Sequence, residues 1–238
     1  MDDPSEIVNA AIELHTKIIK QMKGVPGVTQ ERLAEGLSLR HCALSLVGEP
    51  IMYSEINVLV DELHQRRSST FLVTNAQFPE KIKTLKPVTQ LYVNSLILIA
   101  LREKQQRTVY RLTLVKGWNK EDIDAYFKFF SLGKPDFVEI KGVTYCGSSA
   151  TSKLTMDNVP WHSDVKAFSE ALAAKSKGEY EVACEHVHSC CVLLAKTRKV
   201  QGSFWQAFQK RGLYGSHTLL GPLWCQGRWI RLSSRHVW

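Results

Sequence analysis

Apolar residues follow two different spacings along this chain. In residues 3–23 they recur every three or four positions, and Asp3 with Pro4 is typical of the start of an amphipathic helix. Gly24 and Gly27 then predict a turn. From residue 41, short strand-like runs alternate with helical stretches, which predicts βαβ units and a mostly parallel sheet. The strand-like runs are 41–47, 70–74, 88–93, 107–116, 136–141, 179–184 and 190–195, and the helical stretches are 54–66, 95–104, 119–131 and 161–176.

Several predicted strands have one face of polar or small residues. Because successive side chains of a strand point to opposite sides, Arg111 and Thr113 share one side, as do Glu139 and Lys141. The corresponding side of the first strand carries His41, Ala43, Ser45, Val47 and Glu49. Parallel strands that are covered on both faces usually read as apolar throughout. The pattern therefore favours a barrel or half-barrel with a polar lumen, and a flat doubly wound sheet is the alternative.

Size and composition indicate the general class of protein. With 238 residues and 44% hydrophobic content, the chain is suited to one soluble globular domain. No apolar stretch approaches the roughly 20 residues of a membrane helix, and residues 1–20 do not resemble a signal peptide. We therefore expect a cytoplasmic protein without a membrane partner. The six cysteines show no disulfide framework and are expected to be reduced.

The net charge of +8 is concentrated in the last part of the sequence. After Glu185 the chain has eight Lys and Arg residues and no acidic residue, so residues 1–185 are neutral overall. The charge therefore does not indicate a nucleic-acid-binding face on the folded part. We expect one domain over residues 1–198, followed by a basic, Trp- and Gly-rich tail over residues 199–238 that is poorly ordered.

The first two strand-like runs each end in a polar tripeptide, Gly48-Glu49-Pro50 and Thr74-Asn75-Ala76. Ligands of α/β proteins bind at the carboxyl ends of the strands. A glycine there lets a ligand approach the backbone closely, and a carboxylate is suited to a ligand ammonium group. The alternatives are a solvated turn at Glu49 and an Asx turn or helix cap at Thr74 and Asn75.

Two further groups of side chains have reactive or charged chemistry. Arg111 and Lys141 are suited to binding an anion, and a lysine in an enclosed site can also form a Schiff base. The alternative is an internal charge network of these two residues with Glu139. Residues 184–191 have the residue types of a metal site, but their Cys-x-His-x-His-x-Cys spacing is not a usual zinc pattern, so we expect no metal there.

Six segments of the chain carry a resemblance to a known family. They are KGVPGV (23–28), HCALSLVGEPIMY (41–53), FLVTNAQFP (71–79), QQRTVYRLTLV (105–115), FVEIKGVTYCG (137–147) and CEH (184–186). These segments closely resemble the eukaryotic radical S-adenosylmethionine (SAM) 4-demethylwyosine synthases. The resemblance extends from residue 1 to about residue 195.

The resemblance implies an incomplete (β/α) barrel of the radical SAM type. It implies a carbon–carbon lyase in which a [4Fe–4S] cluster cleaves SAM. A pyruvate-derived two-carbon unit is then joined to N1-methylguanosine next to the anticodon of phenylalanine tRNA, a step of wybutosine biosynthesis. By the same resemblance, Gly48, Glu49 and Pro50 hold the methionine amine of SAM, and Thr74 and Asn75 line its pocket.

The resemblance also places four candidate catalytic residues near SAM or the substrate: Arg111, Glu139, Lys141 and Tyr145. Their individual roles stay open. The oligomeric state also stays open.

The chain departs from the pattern of this family in several places. It contains no Cys-x-x-x-Cys-x-x-Cys motif, so the cluster is not expected on this chain. The flavodoxin-like domain of the family and the lysine that would engage pyruvate are also missing, and the sequence after Asn94 reads as if about one helix were lost. We therefore expect a truncated or alternatively spliced form that is inactive alone. The rival hypotheses are a non-catalytic SAM- or tRNA-binding module and an unstable product without function.

Overall fold

The structure is a computed structural model that describes residues 2–45, 48–94, 104, 106–120, 122–147 and 153–197. Within the described residues, the helices are α1 (Pro4–Gln21), α2 (Gln30–Leu37), α3 (Ile56–Gln65), α4 (Pro79–Thr84), α5 (Ile123–Gly133) and α6 (His162–Lys175). The strands are β1 (His41–Leu44), β2 (Ser69–Thr74), β3 (Gln90–Val93), β4 (Arg107–Leu114), β5 (Phe137–Gly142), β6 (Tyr180–His186) and β7 (Cys191–Lys196). The predicted helix 95–104 (apart from residue 104), positions 46 and 47 of the first predicted strand and the tail 199–238 lie outside the described residues.

The start of the first helix is confirmed. The Asp3 side chain accepts hydrogen bonds from the backbone N–H groups of Ser5 and Glu6, at 2.8 and 3.2 Å. These bonds satisfy two of the N–H groups that a helix start leaves without a partner. Gly24 adopts a φ of 86° just after α1, a left-handed conformation in which glycine carries no steric penalty.

The chain divides into two compact units, and the first comprises Met1–Arg111 and Phe129–Asp136. In this unit the strands pair in parallel in the order β1, β2, β3 and the first part of β4. Phe71 of β2 is paired with Ala43 of β1 and with Gln90 of β3. One face of these strands is covered by α3, since His64 of α3 bonds Thr70 Oγ1 at 2.9 Å. Leu72 lies on this face, and its side chain is completely buried.

The opposite face of the same strands carries the polar residues that the sequence predicted. His41 and Ser69 lie side by side on it and are joined by a 2.7 Å hydrogen bond. Ala43 is exposed there, and Arg111 is half-buried, whereas Tyr110 points to the other face and is fully buried. We call this surface, carried by β1 to β4 on the side away from α3, the polar face.

The second unit comprises Leu112–Lys128 and Phe137–Trp238. Here β7 pairs antiparallel with both β5 and β6, and α6 packs against all three strands. The apolar centre is formed by Val138, Ile140, Leu172, Val192 and Leu194, all of which are completely buried. The mostly parallel pairing that the sequence predicted therefore does not extend to β7. Only residues 187–190 separate β6 from β7, and a parallel connection needs a crossover of a dozen or more residues.

The hydrogen-bonded strand order is β1-β2-β3-β4-β5-β7-β6, which makes a mostly parallel, seven-stranded α/β sheet. Among the described residues this sheet is open and does not close into a barrel. The sequence also missed two helices, α2 and α4. Both are short, and α4 has only six residues, so neither shows enough turns for a helical period to be recognised.

Candidate functional site

The carboxyl ends of β1 and β2 lie next to each other in the first unit. Their strands pair in parallel, and the turn after β1 is tied to the turn after β2 by one hydrogen bond. In this bond the backbone N–H of Asn75 donates to Oε2 of Glu49 at 2.9 Å. The two polar tripeptides of the sequence analysis are therefore held side by side at one edge of the sheet.

The turn that carries Glu49 is fixed by its neighbours. Gly48 has a φ of 67°, and space is open beside its Cα where a side chain would stand. Pro50 begins a short 3-10 helix, Pro50–Met52, in which the Ile51 side chain is completely buried. The buried Ile51 anchors the turn that carries Glu49, and the absence of a side chain leaves the backbone of Gly48 itself accessible to a ligand.

The second carboxylate oxygen of Glu49 is the most informative atom of this edge. Oε1 of Glu49 is screened from solvent and has no hydrogen-bond partner among the described residues. Oγ of Ser45, at the end of β1, is in the same situation. Buried oxygen atoms are normally paired, so this edge offers acceptors for a donor that comes from outside the chain. Ser45 was placed on the polar side by its alternation, but no motif marked it as a site residue.

Thr74 uses its hydroxyl group within its own turn. Oγ1 of Thr74 accepts from the backbone N–H of Ala76 at 3.0 Å, and the Thr74 carbonyl accepts from the N–H of Asn94 at 3.0 Å. This is the local turn that the sequence analysis gave as the alternative for Thr74. The bond steadies Ala76, which has a φ of 54° that is unusual for a residue other than glycine. The Asn75 side chain is exposed beside it.

The four candidate catalytic residues fall in different units. Arg111 is half-buried on the polar face of the first unit, whereas Glu139, Lys141 and Tyr145 belong to the second unit. In the second unit Glu139 is 7% exposed, and its Oε1 accepts from the Cys191 thiol at a sulfur–oxygen distance of 3.4 Å. Lys141 and Tyr145 are half-buried, and Lys141 lies directly across from Cys191 in the sheet.

The Cys184 thiol and the His186 ring of β6 were candidates for metal ligands by residue type. Burial, and then the negative charges of Glu139 and Glu185, raises the pKa of Cys184 to about 11. Cys184 therefore stays protonated at neutral pH and is a poor metal ligand. His186 Nδ1 forms a 2.6 Å hydrogen bond with Ser189 Oγ. In the part of the chain that the structure describes, no group of three or more His, Cys, Asp or Glu side chains is arranged to hold a metal ion.

Comparison with known proteins relates the chain to an enzyme family. The family described as wyosine base formation matches residues 132–196. The S-adenosyl-L-methionine-dependent tRNA 4-demethylwyosine synthase of Arabidopsis thaliana is 68% identical, in a match that covers 88% of this chain and 37% of the relative. The synthase of the same name from Oryza sativa subsp. japonica is 71% identical, in a match that covers 84% of this chain and 34% of the relative.

Over most of its length, the chain is a homologue of the tRNA 4-demethylwyosine synthases. It spans about a third of the length of these curated synthases, which are named as S-adenosyl-L-methionine-dependent enzymes. A solved structure titled "Structure of TYW1 with a lysine-pyruvate adduct bound" has a similar fold. The TM-score is 0.70 at 23% identity, covering 82% of this chain and 70% of that chain.

Among the described residues, no helix is both long enough and apolar enough to cross a bilayer.

Proposed function

We propose that the carboxyl edge of β1 and β2 binds SAM, and that the chain is the SAM-binding part of a tRNA 4-demethylwyosine synthase. The observation that carries this proposal is the Glu49 carboxylate. One of its oxygens is fixed by the Asn75 N–H, and the other is screened from water and lacks a partner among the described residues. An ammonium group, such as that of the methionine part of SAM, would supply the missing donor.

The residues of this edge suit the chemical groups of SAM. Glu49 would accept from the ammonium, Gly48 would let the methionine backbone approach, and Pro50 would begin the turn that holds both in place. Asn75 would offer its exposed amide, whereas the hydroxyl of Thr74 would act indirectly through the turn that it stabilises. When bound to a reduced cluster, SAM supplies a radical for hydrogen abstraction.

The described residues do not fit a [4Fe–4S] cluster. Clusters of this kind are held by cysteine thiolates, and the described part of the chain offers no group of His, Cys, Asp and Glu side chains placed around one metal position. The 238 residues also contain no Cys-x-x-x-Cys-x-x-Cys motif. We therefore propose that this chain by itself does not cleave SAM reductively. After anaerobic iron–sulfur reconstitution, an assay for methionine and 5′-deoxyadenosine should detect neither product, and turnover would contradict the proposal.

The substrates of the whole enzyme are proposed by homology: phenylalanine tRNA carrying N1-methylguanosine, with pyruvate as the carbon donor. The names of the relatives support the tRNA. The completed form of the fold is proposed to be a partial radical SAM barrel whose lumen is lined by the polar face. Arg111, Lys141 and Tyr145 are proposed to contact the substrates, and Glu139 to position Lys141 or Cys191 beside it.

Calorimetry with SAM tests the binding site directly. Glu49→Gln keeps an acceptor for the Asn75 N–H but removes the charge that pairs with the ammonium. A hydrogen bond to a charged group contributes about 1.5–3 kcal/mol, so affinity for SAM should fall roughly 10- to 140-fold. The matched control is Glu55→Gln, because Glu55 is exposed in the same unit and its side chain does not cap α3.

A second ligand separates loss of the ammonium contact from general damage to the site. 5′-Methylthioadenosine contains the nucleoside of SAM but lacks the amino acid, so Glu49→Gln should leave its affinity unchanged. Equal SAM affinities for the wild-type chain and Glu49→Gln would contradict the proposed role of Glu49. Failure of the wild-type chain to bind SAM at all would contradict the proposed function itself.

A further inference from the structure

Two large aromatic side chains of the second unit are exposed. Trp161 is 76% exposed and Trp118 is 58% exposed, and Met156, which precedes Trp161 by five residues, is 64% exposed. Scattered exposed apolar side chains are ordinary, but large ones that are held together mark a binding surface. Whether these two tryptophans are held together is therefore the decisive point.

The two tryptophans stand on turns that hydrogen bonds join. Trp118 belongs to the turn after β4, and Trp161 lies at the end of the loop between β5 and α6. The N–H of Lys116 donates to the carbonyl of Asn158 at 2.8 Å, and Nδ2 of Asn158 donates back to the carbonyl of Lys116 at 3.1 Å. We call these two joined segments, residues 115–120 and 155–161, the tryptophan surface.

Asp164, in the first turn of α6, joins the same two segments a second time. One of its carboxylate oxygens accepts from the Lys120 ammonium at 2.6 Å, and the other accepts from the backbone N–H of Trp161 at 3.0 Å. The bond to Trp161 uses the backbone alone. Its side chain is therefore left to face solvent, and can be replaced without breaking this connection.

Each segment is also fixed from within. The Asn119 side chain accepts from the N–H of Val115 at 2.7 Å and donates to the carbonyl of Thr113 at 3.0 Å. Pro160, just before Trp161, is buried, and its Cγ would lie 3.0 Å from a Cβ placed on Gly142. A surface that is ordered before its partner arrives loses less conformational entropy on binding.

The tryptophan surface lies at the carboxyl ends of two strands. β4 ends at Leu114 and β5 at Gly142, and the N–H of Val143 donates to the carbonyl of Leu114 at 2.9 Å. The two strands therefore end at the same level. Ligands of α/β proteins bind at this kind of edge.

The charges of the surface leave one lysine for a partner. Asp164 is paired with Lys120. Lys116, two residues before Trp118, is exposed and forms no ion pair with another described residue. Asp157 is an exposed carboxylate of the same surface. The surface is therefore not strongly basic, and its main offer to a partner is the pair of rings, with Lys116 beside one of them.

Exposed rings with a neighbouring lysine fit RNA that presents unpaired bases. Such bases stack on aromatic side chains, while lysines contact the phosphates of the backbone. The bases of a duplex are already stacked on each other, so a duplex offers the rings no comparable contact. A protein partner would bury the rings as well, but it gains nothing specific from the flat face of an aromatic ring over an aliphatic side chain of similar size.

We infer that the tryptophan surface binds unpaired bases of RNA, which stack on the rings of Trp118 and Trp161. The inference rests on the proposed function, which supplies an RNA of this kind in the anticodon loop of the tRNA. It assigns the loop a contact outside the proposed SAM site. Binding of SAM should therefore be the same with and without the two rings.

Fluorescence anisotropy with labelled RNA tests the inference on the full chain. One RNA is the anticodon stem–loop of phenylalanine tRNA, and the other is a fully paired duplex with the same number of nucleotides. The duplex measures the binding that charge alone provides, including that of the basic residues after Glu185. At each of Trp118 and Trp161, a leucine variant keeps an apolar side chain without a ring, and a phenylalanine variant keeps a ring. Val187→Ala is the control, because Val187 is 57% exposed in the same unit, away from both segments.

The wild-type chain should bind the stem–loop more tightly than the duplex. Each leucine variant should bind the stem–loop roughly 5- to 150-fold more weakly, which corresponds to the loss of one stacked base, and should bind the duplex as before. The phenylalanine variants and Val187→Ala should retain the preference for the stem–loop. Because both tryptophans are exposed, all variants should melt at the wild-type temperature.

Three results would overturn the inference. They are the absence of a preference in the wild-type chain, equal affinities of the leucine and phenylalanine variants for the stem–loop, and an equal loss for stem–loop and duplex. Self-association of the wild-type chain that the leucine variants abolish, measured by sedimentation, would assign the surface to a protein partner and overturn it too. SAM binding that depends on Glu49 would leave the proposed function standing in each of these cases. Failure of the wild-type chain to bind SAM would instead contradict the proposed function, whatever the RNA result.

Discussion

The hydrogen bond accepted by the Thr74 hydroxyl should contribute measurably to the stability of the candidate site. Thr74 is 1% exposed, and its Oγ1 accepts the hydrogen bond of the Ala76 N–H, with Ala76 itself completely buried. In Thr74→Val a methyl group replaces the hydroxyl, so the volume is conserved and no cavity forms. The N–H of Ala76 then stays buried without an acceptor.

The expected cost follows from that single unpaired group. Leaving a buried donor unsatisfied costs about 1–3 kcal/mol. Thr74→Ser is the matched control, because it keeps the acceptor and removes only a methyl group, worth about 0.8 kcal/mol of buried apolar surface. The valine variant should therefore be less stable than wild type by about 1–3 kcal/mol, and the serine variant by about 1 kcal/mol or less.

Hydrogen–deuterium exchange with mass spectrometry suits this measurement, because it follows each unit separately. The first unit contains no tryptophan, so tryptophan fluorescence does not report on it. In Thr74→Val, exchange of the amides of β2 and β3 should accelerate roughly 5- to 140-fold for a loss of about 1–3 kcal/mol. Peptides covering β5 and β7 serve as the internal reference. Wild-type exchange rates in the valine variant, or equal acceleration in the serine variant, would refute the reasoning.

The second unit gives two further predictions. Hydrogen bonds from Lys120 and then from the Trp161 N–H hold the pKa of Asp164 below its usual range, so its stabilisation is present at neutral pH and is lost as the pH falls through that lowered value. Asp164→Asn should lower the free energy of unfolding by about 1 kcal/mol at pH 7. Its urea midpoint should fall less steeply than that of the wild-type chain between pH 7 and pH 3. A pH profile parallel to that of the wild-type chain would contradict this role of Asp164. Because the pKa of Cys184 is raised to about 11, iodoacetamide at pH 8 should modify the exposed Cys146 well before Cys184, as read by peptide mass spectrometry. Equal rates at the two cysteines would refute the burial argument.

The sequence was sufficient where local chemistry decides the structure. Asp3 and Pro4 gave the first helix its start, and the alternation in β4 correctly separated the exposed Thr113 from the buried Tyr110. The tripeptides after β1 and β2 could be expected at one edge, because consecutive parallel strands usually pair. Their functional roles stay predictions.

The sequence was insufficient where partners far apart in the chain decide the outcome. Ser45 does not belong to a recognisable motif, and its lack of a hydrogen-bond partner becomes visible only after the neighbouring strands are in place. The sequence predicted a mostly parallel sheet and did not specify the direction of its last strand. The four residues 187–190 between β6 and β7 are too few for a parallel crossover, so the pair is antiparallel.

The antiparallel pairing of β6 and β7 also bears on the order in which the chain folds. These strands need only the four residues 187–190 to turn back on each other, whereas pairing His41 with Ser69 requires closing a loop that includes α3. Hairpins form in about 1–10 μs, and contacts between distant residues form more slowly because they cost more chain entropy. When the complete chain refolds from denaturant, we therefore expect β6 and β7 to pair before the parallel strands do.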